Sequence, residues 1–313
     1  MVNFNSGNLG NFTVISQEIR DALRLSLNPL GAFTFDAGAG SNIFGGAGSS
    51  VTVHLLQVST SPAVQVISGN GATIDYTTAN TQSDTVWTPV NVPLAWYQPD
   101  GVTIPSLLQA NSPAKDLLGE AARMKTYQVA KAIMTNINSL ITTDVYTNTF
   151  SISGDGGTYY TWAVHQDLIA KAVATGFTPG DISVTLNPTQ FHKLVASIPN
   201  LPGGNQDAII KSGFLDYVGG SKVYQSAVLP AGMQGYCARP NAMAIAWRVL
   251  PVPQDYPGKA TIVNAADDAT GVDGITLQVR QFTLGDVPNA RVAFDCVYGA
   301  SVFDSASLIP ILA

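Results

Sequence analysis

The amino-acid sequence predicts an α+β fold from which arms extend, and three observations carry the prediction. Asn70-Gly71 stands between two strand-like runs, VQVIS and ATIDYT, the strongest short-range signal for a β-hairpin. Apolar residues recur at helical spacing from Ser112 to about Thr142. Beyond residue 181 a strand runs straight into a capped helix, and strand-like stretches fill the rest of the chain.

Taken in order, the first 35 residues hold one short helix candidate, SQEIRDALRLSL. Ser16 is its cap, and Ile19, Ala22 and Leu23 share one face. The segment DAGAGSNIFGGAGSS (36–50) has the glycine content of a connector or an extended arm. From 51 to 95 the pattern is β. SSVTVHLLQV and DTVWTPVNVPLAWY flank the Asn-Gly turn and lengthen it into a two-stranded arm. Near the tip Val64, Val66, Ile74 and Tyr76 alternate, giving an apolar face that a lone hairpin cannot bury and that a neighbour would cover.

Ser112 then caps a long helix with Pro113 at its first position. Leu117, Ala121, Met124, Ala130, Ile133, Ile137, Leu140 and Ile141 supply its apolar positions, over a rod of roughly 45 Å. A core helix of an ordinary α+β domain would read the same way. Val164, Leu168, Ile169, Ala172 and Val173 make a second helix, stopped by Gly176. DISVTLNP is a strand leading into a third, with Asn187 as cap, Pro188 first and Gln190 at the capping-box position. Phe191, Leu194, Val195 and Ile198 form its apolar face, and Pro199 ends it. Strands are expected around 214–229, 233–249, 259–264, 274–284 and 289–303.

Composition narrows the function. Charged residues make up 12% of the chain, against ~25% in ordinary globular proteins. Sparse charge gives little solubility, so much of the surface is expected to lie against partners. The net charge of −6 without any like-charge block offers no general basic surface for nucleic acid. MVNFNSGNLGNF lacks the basic-then-apolar order of a secretory signal, and no apolar run is long enough to span a membrane. Cys237 and Cys296 are the only cysteines. Cys296 alternates in phase with Val292 and Phe294, which predicts a buried thiol and fits a reducing, intracellular origin.

Motifs for chemistry are incomplete wherever they begin. GGSKVYQSAVLP (219–230) has the glycines and lysine of a phosphate loop, but Ser221 separates Gly220 from Lys222 and a strand follows where a helix is needed. The same stretch lacks the closing glycine of a nucleophile elbow. The runs starting at Gly38 and Gly69 miss the third glycine of a dinucleotide loop. Asp267, Asp268 and Asp273 have no glutamate for calcium's bidentate position, so a solvated acidic loop is the better reading. His54, His165 and His192 lie too far apart for a metal motif. His165 shares a face with Leu168 and Ala172, as a satisfied core or interface histidine does, and His192 reads as surface. Nothing singles out a carboxylate pair. The expectation is a protein that is not an enzyme and needs no cofactor or metal.

The order of elements resembles the major capsid proteins of tailed bacteriophages, with their Hong Kong 97-like fold. The likeness rests on SVTLNPTQFHKLVAS, on GGSKVYQSAVLPAGMQGYCARPNAMAIAWR and on GDVPNARVAFDCVYGASVFDSASLIPIL, in that order, within a pattern covering 50–313. The resemblance implies an N-terminal arm (1–50), an extended loop (51–95), a peripheral domain with a spine helix (96–146), an axial domain (147–255) and returning peripheral strands (256–313). It implies that Val64, Val66, Asn70, Gly71, Ile74 and Tyr76 of the extended loop touch a neighbouring subunit. The partners implied are copies of the chain in hexamers and pentamers, with scaffold, portal and decoration proteins and weakly contacted double-stranded DNA, and no membrane. The location implied is the virion, assembled in a bacterial cytoplasm. Some members crosslink through a lysine on the extended loop. The first lysine here is Lys115, so noncovalent shells are expected. No long N-terminal scaffolding segment is seen, which implies a separate scaffold or none. An encapsulin-type cargo shell shares the fold, and a monomeric β-rich adhesin or hydrolase is the reading from another class.

Overall fold

The computed structural model describes residues 19, 27, 29–30, 33–36, 50–57, 86–97, 101–105, 117–152, 159–198, 214–248, 258–264, 276–283 and 289–313. The expected tip residues Val64, Val66, Asn70, Gly71, Ile74 and Tyr76 lie outside them. So do Ala22, Leu23, residues 37–49, residues 113–116 and the acidic loop at 267–273. The strands are β1 (Thr34–Asp36), β2 (Ser50–Gln57), β3 (Val86–Pro93), β4 (Ala95–Tyr97) and β5 (Val102–Pro105) before the first described helix, α1 (Leu117–Asn138). After it come β6 (Phe150–Ser151), α2 (Trp162–Ala174), β7 (Ser183–Leu186) and α3 (Pro188–Ser197). The rest is β: β8 (Phe214–Val218), β9 (Ser221–Gln225), β10 (Met233–Ala238), β11 (Met243–Arg248), β12 (Lys259–Asn264), β13 (Thr276–Thr283), β14 (Asn289–Val302) and β15 (Leu308–Leu312).

Helix α1 buries one stripe, Ala122, Val129, Ala130, Ile133, Met134 and Ile137, at the spacing of a single helix face. That stripe packs on Leu277, Val279, Val292, Phe294, Cys296 and Tyr298, which alternate along β13 and β14. Met124 is 64% exposed, contrary to its expected core position. Nine residues separate it from Ile133, about two and a half turns, so it lies on the opposite side of the rod. The helix also stops at Asn138, short of Thr142. Leu140 N–H bonds Ile137 O and Ile141 N–H bonds Asn138 O, tightening the chain into a turn.

β14 is the centre of a seven-stranded sheet. Its C-terminal half pairs with β11 and β4, its N-terminal half with β13 and β5, all antiparallel. β12 pairs with β13, and β1 runs parallel to β11. The six-stranded sheet has the order β6-β15-β10-β7-β9-β8, with α2 and α3 burying Val164, Leu168, Ala172, Phe191, Leu194 and Val195 with its side chains. Val173, expected on the apolar face of α2, is exposed.

The expected strands at 214–229 and 233–249 are each divided. The first folds back at Gly219 and Gly220, both at positive φ, as a two-residue hairpin loop requires. So the glycines of GGSKVY make a tight turn, and a strand follows it. The second breaks at Arg239-Pro240, where the chain leaves one sheet for the other. The chain crosses back between β14 and β15. Arg239 ties the two crossings: its Nε donates to Ser307 Oγ at 2.6 Å, and its guanidinium pairs with Asp304 at 3.0 Å. The sheets therefore cut across the boundary expected at 255, since β11 joins the seven-stranded sheet and β15 the six-stranded one.

Asn187 caps α3 as expected, its Oδ1 accepting from Gln190 N–H at 2.8 Å. Gln190 does not complete a capping box. Asn187 N–H goes to Gln234 O, while Gln190 Oε1 accepts from Tyr160 N–H at 2.7 Å. Ile198, ahead of Pro199, is extended at ψ 118° and closes the helix. Asn187→Ala is expected to cost about 1–2 kcal/mol, read as a lower urea midpoint with an unchanged slope. An unchanged midpoint would show that the cap contributes nothing to the subunit.

Candidate functional site

The base of the extended hairpin is the part of the expected contact region that the structure describes. β2 and β3 pair antiparallel from Ser50↔Pro93 to Gln57↔Val86, and the chain from 58 to 85 continues beyond the last pair. Val51 and Val53 stand opposite Val92 and Val90, and all four pack with Ala244, Ala246, Val297 and Phe303. On the other face Thr52 Oγ1 donates to Asn91 Oδ1 at 2.8 Å, in the open. The hairpin base is thus anchored by one apolar face to the side of the seven-stranded sheet that α1 does not cover.

Gly299 makes this docking fit. A Cβ there would sit 2.0 Å from Pro93 O and 2.8 Å from Pro93 C, both backbone atoms. Only a residue without a side chain lets β3 lie on β14 at that point. The same face of the sheet carries Asp295, only 1% exposed on its side chain and ion-paired to the guanidinium of Arg280 across β13 and β14.

Among the described residues, the arrangement that looks most catalytic is a buried chain of hydrogen bonds. Ser221 Oγ lies 3.1 Å from His165 Nε2, and Tyr160 Oη lies 2.9 Å from His165 Nδ1. All three residues are fully buried, and the Trp162 ring stacks on the imidazole at 5.8 Å between centroids. A nucleophile must meet its substrate, and this serine meets only protein. The chain of bonds fastens the β8–β9 turn to α2, the satisfied core histidine that its position predicted. Burial pushes the Cys237 thiol far up, and burial with the Asp295 charge pushes Cys296 up to about 12. Both are neutral thiols at physiological pH and weak nucleophiles.

His192 is exposed, and His54 lies in β2. Among the described residues no group of three or more histidine, cysteine or carboxylate side chains could hold a metal. None of their helices is long and apolar enough to cross a membrane. Open clefts are present among the described residues. One of about 500 Å³ lies at the C-terminal end of α1, against the loop 228–233. A smaller one of about 260 Å³ lies between α1 and β14, where Asn136 Nδ2 donates to Tyr298 Oη at 2.9 Å. Sequence reasoning missed both, because each joins segments far apart in the chain.

No protein-family model and no curated protein matches the chain. Solved structures do. A chain from the capsid of Ralstonia phage GP4 superposes with a TM-score of 0.53 at 11% identity, over 85% of this chain and 83% of that one. A chain from the capsid of an empty GTA particle gives 0.50 at 13% identity, over 92% and 90%. The fold of this chain is the phage-capsid fold that its order of elements over 50–313 resembles.

Proposed function

We propose that the chain is a shell subunit of a tailed bacteriophage, assembling through hexamers and pentamers around double-stranded DNA and carrying out no catalysis. The observation that carries this reading is the backbone likeness to capsid chains over more than four-fifths of both partners. The anchored hairpin base supports it. A two-stranded arm held by its root, with residues 58–85 still to come, suits a contact made outside its own subunit. In this reading the seven-stranded sheet with α1 is the peripheral domain and the six-stranded sheet with α2 and α3 is the axial one. Val64, Val66, Asn70, Gly71, Ile74 and Tyr76 then touch the neighbouring subunit. Scaffold, portal and decoration proteins remain its expected partners, and a virion its location.

The test replaces residues 62–78 with a short Gly-Ser linker. The subunit should keep its circular dichroism and lose closed shells in negative-stain images, while the wild type forms hollow particles. Normal particles from the trimmed chain would remove the hairpin from the contact. A wild type that stays monomeric across salt and concentration, with phage partner proteins supplied, would overturn the shell reading itself.

A further inference from the structure

The face of α1 turned away from the sheet differs from the rest of the molecule in charge. The chain has a net charge of −6, yet α1 carries Arg123, Lys125 and Lys131 against one acid, Glu120. Arg123, Tyr127 and Lys131 recur every four residues and are all exposed. They form one ridge about 12 Å long, with a cation at each end and an aromatic ring between them. Tyr127 is 53% exposed and Met124, on the next ridge, 64%. Gln128 is exposed on the same side, and Lys125 is half-buried at its flank. None of the three cations has an ion-pair partner among the described residues. Helix stability does not call for them either. They lie outside the first and last turns, where the macrodipole acts, and neither Lys125 nor Lys131 has an acid three or four residues away.

We infer that this ridge is a contact for the phosphate backbone of double-stranded DNA; that the DNA is the enclosed genome rests on the shell reading above. The charge on the ridge is opposite in sign to both the chain and the polyanion, and arginine, lysine, tyrosine and glutamine are side chains that bond phosphate oxygens. The ridge carries no means of reading sequence, since it is a convex strip without a cluster of base-matching amides, so the contact positions DNA without selecting it. A protein partner fits less well. Met124 and Tyr127 are the large apolar groups here, too little for the apolar core of a stable protein interface, and cations surround them. The root of the hairpin occupies the other face of the same sheet, so in a wall one subunit thick the arm and the ridge look to opposite sides. One subunit grips weakly through so few charges. Many copies lining one shell add their contacts without any further interaction.

The test has a binding arm and a particle arm. In the unassembled chain at low salt, a short DNA duplex of mixed sequence should move the backbone amide signals of residues 123–131 saturably. The logarithm of the association constant should fall against log salt with a slope of about −2 to −3, roughly 0.9 per phosphate neutralised. Lys131→Gln changes an exposed side chain, so it should keep native circular dichroism and flatten that slope by about 1. In DNA-filled particles, p-benzoylphenylalanine placed at Tyr127 should give DNA adducts under ultraviolet light. Placed at Ile262 it should give none. Ile262 is exposed but alternates with Val263, whose partner Leu277 packs beneath α1, so it lies on the opposite face of the sheet. No saturable shift in the wild type, an unchanged slope in Lys131→Gln, or adducts from position 127 to protein alone would overturn the proposal. A wild type that forms no particles would sink the shell reading instead, and the duplex titration of the free chain would still decide whether the ridge binds DNA.

Discussion

Ile137→Asp is expected to leave almost no native soluble subunit. Ile137 is 1% exposed and sits among Ile133, Ile141, Phe294 and Tyr298, where the core holds no positive charge to meet a carboxylate. The substitution removes a well-packed side chain and buries an unpaired polar group, which together cost several kcal/mol. Native domains hold only about 5–15 kcal/mol in reserve. Ile137→Ala serves as the comparison. It should cost about 2–5 kcal/mol from the cavity alone and remain foldable. Soluble yield and thermal melts of the two variants check the assignment. Ile137→Asp protein at wild-type yield and melting temperature would mean that this face of α1 does not meet the sheet.

Arg280→Met is expected to destabilise the subunit by about 3–5 kcal/mol, read as a drop in urea midpoint. The Asp295 carboxylate is almost wholly buried in the middle of β14, and the Arg280 guanidinium is the charge that compensates it. Removing the cation alone strands the anion inside the sheet. Removing both should not. Arg280→Met combined with Asp295→Leu should recover most of the lost midpoint, since a buried pair replaced by apolar side chains is often neutral or stabilising. If the single variant unfolds at the wild-type urea concentration, Arg280 is not what offsets the carboxylate. If the double variant is as weak as the single one, the loss comes from packing, and charge is not its cause.

What the sequence determined by itself is whatever a few neighbouring residues decide. Gly219-Gly220 needed no tertiary help to be a turn, because positive φ at two adjacent positions is a property of glycine backbone. Asn187-Pro188 capped and opened α3 as local chemistry dictates, and the apolar stripe through Ile133 and Ile137 followed from helical geometry. The root of the hairpin was legible in the strand-like runs SSVTVHLLQV and DTVWTPVNVPLAWY, which pair as β2 and β3. The tertiary structure decided which sheet each strand joins. MAIAWR and LIPIL are apolar runs that fit either sheet, and pairing across 49 or more residues sent β11 to β14 and β15 to β10. Asp295 alternates out of phase with Phe294 and Cys296, so it stands on the other face of β14. The structure buries that face, because β14 is covered on both sides and Arg280 supplies the countercharge. Asn138 likewise reads as an ordinary helix end until Val228, 90 residues on, accepts a hydrogen bond from its buried Nδ2.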